Sequence, residues 1–72
     1  MNKYKFERTN GDVILTDNSE GLSEWEAFIG RFDFYPAQGV WLFQSRHGRL
    51  LCANDLAVIS KEIERLNSEV TA

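Results

Sequence analysis

The chain has 72 residues, of which 43% are hydrophobic, 12% aromatic and 26% charged. This length supports one domain with one core, and the apolar content excludes an intrinsically disordered chain. A formal net charge of −3 argues against general DNA coating, which needs a clear basic excess. One cysteine excludes an internal disulfide, and the apolar runs are too short to cross a bilayer. We therefore expect a cytoplasmic location and no contact with membranes.

The first predicted element is a β-hairpin of residues 3–9 and 12–17 that turns at Asn10-Gly11. Asn-Gly between two strand-like runs favours a two-residue type I′ turn. This turn sets a register in which Phe6 lies opposite Leu15. Because side chains alternate between two faces, the register predicts a core face and an open face. The core face carries Tyr4, Phe6, Val13 and Leu15, and the open face carries Lys5, Glu7, Thr9, Asp12 and Ile14.

A short helix is predicted after this hairpin. Ser23 and Glu26 have the spacing of a capping box, and Leu22 before them can act as a hydrophobic staple. Apolar side chains follow at helical spacing and would face the core, and Gly30 would end the helix. These apolar side chains are Trp25, Phe28, Ile29 and Phe32.

The segment 32–39 is predicted to be a connection, because Pro36 excludes helix for Tyr35. Phe32 and Phe34 would close the open end of the core. The functional alternative gives Tyr35 a role in partner binding, since exposed aromatic side chains anchor interfaces.

Residues 40–54 predict a second hairpin, around which the rest of the chain would be arranged, with its turn at His47-Gly48. This turn would set Arg46 opposite Arg49. The core face would carry Trp41, Phe43, Ser45, Leu50 and Cys52, and the open face Leu42, Gln44, Arg46, Arg49 and Leu51. The pattern resembles the first hairpin at an offset of 37 residues, as a duplicated ββα unit would.

The last predicted element is a helix capped by Asn54 or Asp55. Its apolar stripe would face the core, with a coiled-coil seam to a second copy as the alternative. The stripe consists of Leu56, Ile59, Ile63, Leu66 and Val70. Together the elements predict an α+β domain in ββαββα order, with an antiparallel sheet of about four strands and two helices packed on one face.

His47 and Cys52 are the only candidates for nucleophilic or metal chemistry, and strand spacing would separate them by roughly 13–16 Å. Cys52 is predicted to be a small core residue and His47 a solvated turn residue. No set of cysteines and histidines has zinc spacing, and no glycine-rich loop suits a phosphate. We therefore predict a protein that is not an enzyme, with no catalytic residue, metal site or cofactor.

The open face of the predicted sheet suggests a function. Three apolar side chains there would be ringed by polar and basic ones, and Arg46 facing Arg49 would favour an anion or an acidic partner. We therefore predict a small protein-binding module, an adaptor or inhibitor of a larger protein. In size and layout the chain is similar to the compact inhibitors encoded by phages and mobile elements. The predicted binding residues are Ile14, Tyr35, Leu42, Gln44, Arg46, His47, Arg49 and Leu51.

Two alternatives belong to other functional classes. The first is a nucleic-acid or anion-binding module that uses Lys3, Lys5, Arg46, His47 and Arg49. It is the weaker prediction, because the aromatic side chains of the strands would face the core and leave no platform on which bases stack. The second alternative is a structural homodimer formed through the same open face.

Overall fold

The computed structural model describes residues 3–71, in which four strands form one antiparallel sheet in the order β1-β2-β3-β4. The α+β class and the four-stranded sheet are confirmed, and the elements follow the predicted order, although several boundaries differ. The elements are β1 (Tyr4–Thr9), β2 (Asp12–Asp17), α1 (Glu24–Ala27), β3 (Phe28–Tyr35), β4 (Val40–Ser45) and α2 (Ala53–Thr71).

The first hairpin is confirmed together with its register. Asn10 and Gly11 have φ values of 41° and 91°, as a type I′ turn requires of both central residues. Phe6 pairs with Leu15, and the side chain of Leu15 is fully buried. The core and open faces of this hairpin are therefore those that the turn predicts.

The second predicted hairpin is wrong, because β4 pairs with β3 instead of with residues 50–52. The connection is the four-residue turn 36–39, in which the Gly39 N–H donates to the Tyr35 carbonyl at 2.8 Å. His47 and Gly48 do form a turn, but no strand follows it. Residues 49–52 instead lead directly into α2, which begins at Ala53.

Because residues 50–52 do not form a strand, their burial is the reverse of the prediction. Leu51 packs against the core instead of lying on the open face, whereas Leu50 is 90% exposed and Cys52 is exposed. The 37-residue offset aligns β1 with β4 and β2 with this loop, so the predicted duplication is wrong as well.

The helix α1 is a single turn and ends earlier than predicted. Its capping box is confirmed, since the Glu26 N–H donates to Ser23 Oγ at 3.2 Å and the Ser23 N–H donates to Glu26 Oε1 at 3.1 Å. No residue of α1 is buried, and Trp25 is 60% exposed. The chain is extended from Phe28 onwards because β3 pairs on both sides, with β2 and with β4.

The core lies between the sheet and α2. Its buried side chains are Val13, Leu15, Ile29, Phe32 and Trp41 from the strands and Ile59 and Leu66 from α2. Leu56 and Val70, at the two ends of the predicted stripe, are exposed. The predicted cap is also displaced, because Asp55 lies inside the first turn of α2, where its Oδ2 accepts the Cys52 N–H at 3.1 Å.

Candidate functional site

The open face is the side of the sheet that α2 does not cover. Register and alternation place Ile14, Leu42 and Gln44 there, and they also place residues of β3 there that the sequence had assigned to a helix or a loop. Tyr35 and Leu42 are 48% and 38% exposed. From β2 to β4, the face consists of Asp12, Ile14, Thr16, Arg31, Asp33, Tyr35, Val40, Leu42 and Gln44.

Two adjacent depressions lie along β3 and β4, and we call them together the β3–β4 trough. Their volumes are about 230 and 180 Å³, and Gln44 lines both. The larger depression is lined by Asp33, Tyr35, Leu42, Phe43 and Gln44, and the smaller by Phe28, Arg31, Gln44 and Ser45. The trough therefore combines aromatic and aliphatic surface with an amide that can donate and accept hydrogen bonds.

The charges in the trough compensate each other. Arg31 Nε donates to Asp33 Oδ2 at 3.0 Å, and their side chains are partly exposed. An ion pair this exposed contributes little to stability, about 0–1 kcal/mol. A partner can therefore bind either group, because breaking this ion pair does not leave a buried, unpaired charge.

A stacked pair that the sequence did not predict lies beside Phe28, at one end of the trough. The Arg46 guanidinium lies 4.6 Å from the ring centroid of Trp25, at a distance typical of a cation–π contact. Arg46 Nε also donates to the Phe28 carbonyl at 2.9 Å. The Trp25 and Phe28 rings lie 6.4 Å apart, so α1 contributes aromatic surface next to the trough.

Arg49 lies away from this face, and the predicted opposition of Arg46 and Arg49 is wrong. Arg49 NH1 donates to the Glu26 carbonyl at 2.9 Å, and its NH2 lies 4.0 Å from Asp17 Oδ2. The two arginines are three residues apart in the turn, where the Arg49 N–H donates to the Arg46 carbonyl at 3.0 Å. Their charges need no anion between them, so this reason for an acidic partner no longer holds.

Hydrogen bonds also lower the pKa values of two carboxyl groups beside this loop. The Ser19 hydrogen bond holds the pKa of Asp17 below its ordinary value, against an opposing effect of burial. The Ser23 backbone N–H and hydroxyl lower the pKa of Glu26. Both groups are therefore anionic at neutral pH, and Asp17 stays charged beside Arg49.

The structure brings together some of the predicted binding residues and separates others. Tyr35, Leu42 and Gln44 line the trough, Ile14 lies half-buried beside it, and Arg46 lies at its end. The remaining three do not belong to it: His47 is exposed in the loop, Arg49 contacts α1 and β2, and Leu51 packs against the core.

Sequence reasoning missed Trp25, Phe28, Arg31 and Asp33 as residues of this surface. The signal for the last three was the alternation in Phe28–Tyr35 followed by the turn residues Pro36 and Gly39. That pattern competes with the helical spacing of the same aromatic residues, and pairing with β2 and β4 decides between them.

Within residues 3–71, histidine, cysteine and carboxylate side chains nowhere gather in a group of three that could hold a metal ion. No helix in this part of the chain is long and apolar enough to span a membrane. No protein-family model, curated protein or solved structure matches the chain.

Proposed function

We propose that this chain is a small non-enzymatic protein-binding module, an adaptor or inhibitor of a larger protein, that binds through the open face of its sheet. The observation that supports this proposal most directly is the β3–β4 trough. It exposes Tyr35 and Leu42 beside the amide of Gln44, on a rigid scaffold of paired strands. Aromatic and arginine side chains are enriched among the residues that dominate interface energetics.

The chemistry of the trough also favours a partner of mixed character over a strongly acidic one. Arg31 and Asp33 compensate each other, and Arg46 stacks on Trp25. Such a surface suits a partner patch with an apolar centre and polar groups around it, the arrangement common to protein interfaces. A cytoplasmic location is part of the proposal, and its support is the single cysteine, which can form no internal disulfide.

Site-specific photocrosslinking tests the proposal in cells that express the chain. A photoreactive phenylalanine analogue replaces Leu42 in one variant and Leu56 in another. Both positions are exposed, but Leu56 lies on α2 and serves as the matched control. We expect position 42 to form a covalent adduct with a larger protein and position 56 to form none.

The protein identified in this way then allows an affinity measurement with purified components. Leu42→Asp and Tyr35→Ala should each raise the Kd at least about tenfold, as loss of a central interface anchor does. Leu56→Asp should leave the Kd unchanged. Equal losses for all three variants, or a loss for Leu56→Asp alone, would refute the open face as the binding surface.

A nucleic-acid or anion-binding module is the second candidate, and one observation favours it. Trp25 is exposed and carries the Arg46 guanidinium on its ring, a combination that single-stranded nucleic acids can use for stacking. The net charge of −3 and the carboxylates of Asp12 and Asp33 on the open face oppose it. Tight, salt-sensitive binding of mixed RNA or DNA that Arg46→Glu abolishes would replace the first proposal with this one.

A further inference from the structure

The outer edge of β1 offers unpaired backbone groups. The Asn18 N–H donates to the Lys3 carbonyl at 2.6 Å, which identifies the odd-numbered residues of this strand as those that bond to β2. The backbone N–H and C=O groups of Tyr4, Phe6 and Arg8 therefore point away from the sheet. Since no group among residues 3–71 bonds to them, they can pair with a further strand.

The opposite edge of the sheet differs, because α2 contacts β4. The outward N–H of Trp41 donates to Asn67 Oδ1 at 2.8 Å. Within the described part of the chain, no side chain reaches the edge of β1 in this way. The two edges are thus unequal, and β1 is the one open to another chain.

The charges on β1 fit a second copy of the same strand. In an antiparallel β1–β1 ladder with a twofold axis, residues whose backbone N–H and C=O groups point outward must lie opposite each other. This requirement limits the number of possible registers. The register centred on Phe6 sets Lys5 of each copy opposite Glu7 of the other copy. The twofold symmetry therefore gives two such contacts. Neither Lys5 nor Glu7 takes part in an ion pair within residues 3–71, so both are available.

The neighbouring registers are unfavourable for the same reason. A shift in one direction centres the pair on Lys5 and sets it opposite the partner's Lys5. A shift in the other direction sets Glu7 opposite the partner's Glu7. Because like charges directly opposite each other destabilise a strand pair, the charges within Tyr4–Thr9 favour the register centred on Phe6. In the register centred on Lys5, Glu7 would lie opposite the partner's Lys3, which precedes the strand.

Apolar surface lies beside this edge on the core side of the sheet. Phe6 is 41% exposed there, next to a groove of about 360 Å³ between β1 and α2. The groove is lined by Tyr4, Phe6, Val58, Lys61, Glu62 and Arg65. Glu62 is paired with Arg65 at 2.8 Å, so covering the groove leaves no unpaired carboxylate. In the register centred on Phe6, the two Phe6 side chains lie directly opposite each other and lose exposure together.

We propose that two copies of this chain associate through β1, in antiparallel register about a twofold axis at Phe6. The product is a continuous eight-stranded sheet in which the two open faces lie on the same side. The β1 edge is separate from the β3–β4 trough, and the proposal does not depend on what the trough binds.

A charge-exchange series measured by analytical ultracentrifugation tests the proposal. Lys5→Glu and Glu7→Lys each convert both ion pairs into like-charge contacts, and we expect each to raise the dimer Kd about tenfold. The double variant restores opposite charges and should return the Kd to the wild-type value. Glu64→Lys, on the exposed surface of α2, changes the net charge as Glu7→Lys does and should have no effect.

Circular dichroism first establishes that each variant is folded, as expected for exposed positions. A wild-type protein that stays monomeric up to millimolar concentration would overturn the proposal. So would a dimer whose Kd stays at the wild-type value in both single variants, or one that the double variant fails to restore. A dimer lost only in Leu42→Asp would assign self-association to the open face instead.

Discussion

The Tyr4 hydroxyl group donates a 2.5 Å hydrogen bond to Asp55 Oδ1, although the two residues are 51 positions apart in the chain. Asn54 Nδ2 donates to the same hydroxyl at 3.0 Å. The Cys52 N–H donates to the other oxygen of Asp55. One side chain of β1 is thus joined to the first turn of α2, and the buried carboxylate of Asp55 has a donor for each oxygen.

Tyr4→Phe should lower the free energy of unfolding by about 1–2 kcal/mol, because it removes a hydrogen bond to a charged, buried acceptor. Urea denaturation measures the change. Tyr35→Phe is the matched control, since the Tyr35 hydroxyl makes no side-chain hydrogen bond within residues 3–71 and lies on an exposed residue. Equal stability of Tyr4→Phe and the wild type would show that the contact contributes nothing.

The same pair predicts how stability depends on pH. The Asp55 hydrogen bond, followed by burial, raises the pKa of Tyr4 above its ordinary value. Burial opposes the shift at Asp55, but hydrogen bonds from Tyr4 and Cys52 outweigh it and lower the pKa of that carboxyl. Tyr4 therefore contributes stability below about pH 10 that is lost as the pH rises through its raised pKa. Asp55 contributes stability above about pH 4 that is lost as the pH falls through its lowered pKa.

The stability difference between the wild type and Tyr4→Phe should consequently be constant from about pH 5 to pH 9 and decrease outside this range. Urea midpoints measured across the pH range for both proteins provide the comparison. A difference that stays constant to either extreme would contradict the assignment of both shifts to this contact.

Gly30→Ala should destabilise the fold by about 1–3 kcal/mol, because the added methyl group overpacks the contact of β3 with β4. A Cβ at this position would lie 2.5 Å from the Gln44 carbonyl oxygen and would also meet the Phe43 ring. Thermal unfolding measures the loss. Combining Gly30→Ala with Phe43→Leu removes the ring contact but not the carbonyl contact, so the double variant should not recover. Full recovery would mean that the backbone does not approach as closely as described.

Arg49→Ala should lower the free energy of unfolding by about 1–2 kcal/mol. The Arg49 side chain joins the loop after β4 to α1 through its hydrogen bond to the Glu26 carbonyl, and it lies near Asp17. Arg31→Ala removes an exposed ion pair and should cost less than about 1 kcal/mol. Chemical denaturation of the two variants side by side makes the comparison. The reverse order of losses would contradict the arrangement of this loop.

Cys52 should react with a thiol reagent in native buffer, without denaturant, because the residue is exposed. Cys52→Ser should change the free energy of unfolding by no more than about 0.5 kcal/mol, as is usual for surface positions. If the thiol reacted only in urea and Cys52→Ser strongly lowered the free energy of unfolding, Cys52 would be a core residue, as the sequence predicts.

Local chemistry made the first hairpin predictable. Asn10 and Gly11 specify one turn type, and that turn sets the register and both faces of β1 and β2 without help from the rest of the chain. The capping box at Ser23 and Glu26 was predictable for the same reason, since its hydrogen bonds span three residues. Two of the trough residues, Leu42 and Gln44, were placed correctly because they follow from the alternation in β4 alone.

The errors arise where tertiary pairing decides between two local patterns. Phe28, Ile29 and Phe32 fit both a helix and a strand, and the neighbouring strands select the strand. If these residues are taken as a helix, β4 lacks its true partner, and residues 50–52 become the strand-like run that could pair with it. The wrong positions of Leu51 and Cys52, and the wrong opposition of Arg46 and Arg49, all follow from that one substitution of partners.

The strand order has a consequence for synthesis of the chain on the ribosome. Each strand pairs with its sequence neighbour, so all ladders of the sheet can close once residue 45 has emerged. The side chains that cover Val13, Leu15 and Phe32 come from Ile59 and Leu66, which are synthesised after all four strands. A nascent chain released before Ile59 would therefore carry a paired sheet with a bare apolar side, a species prone to aggregate.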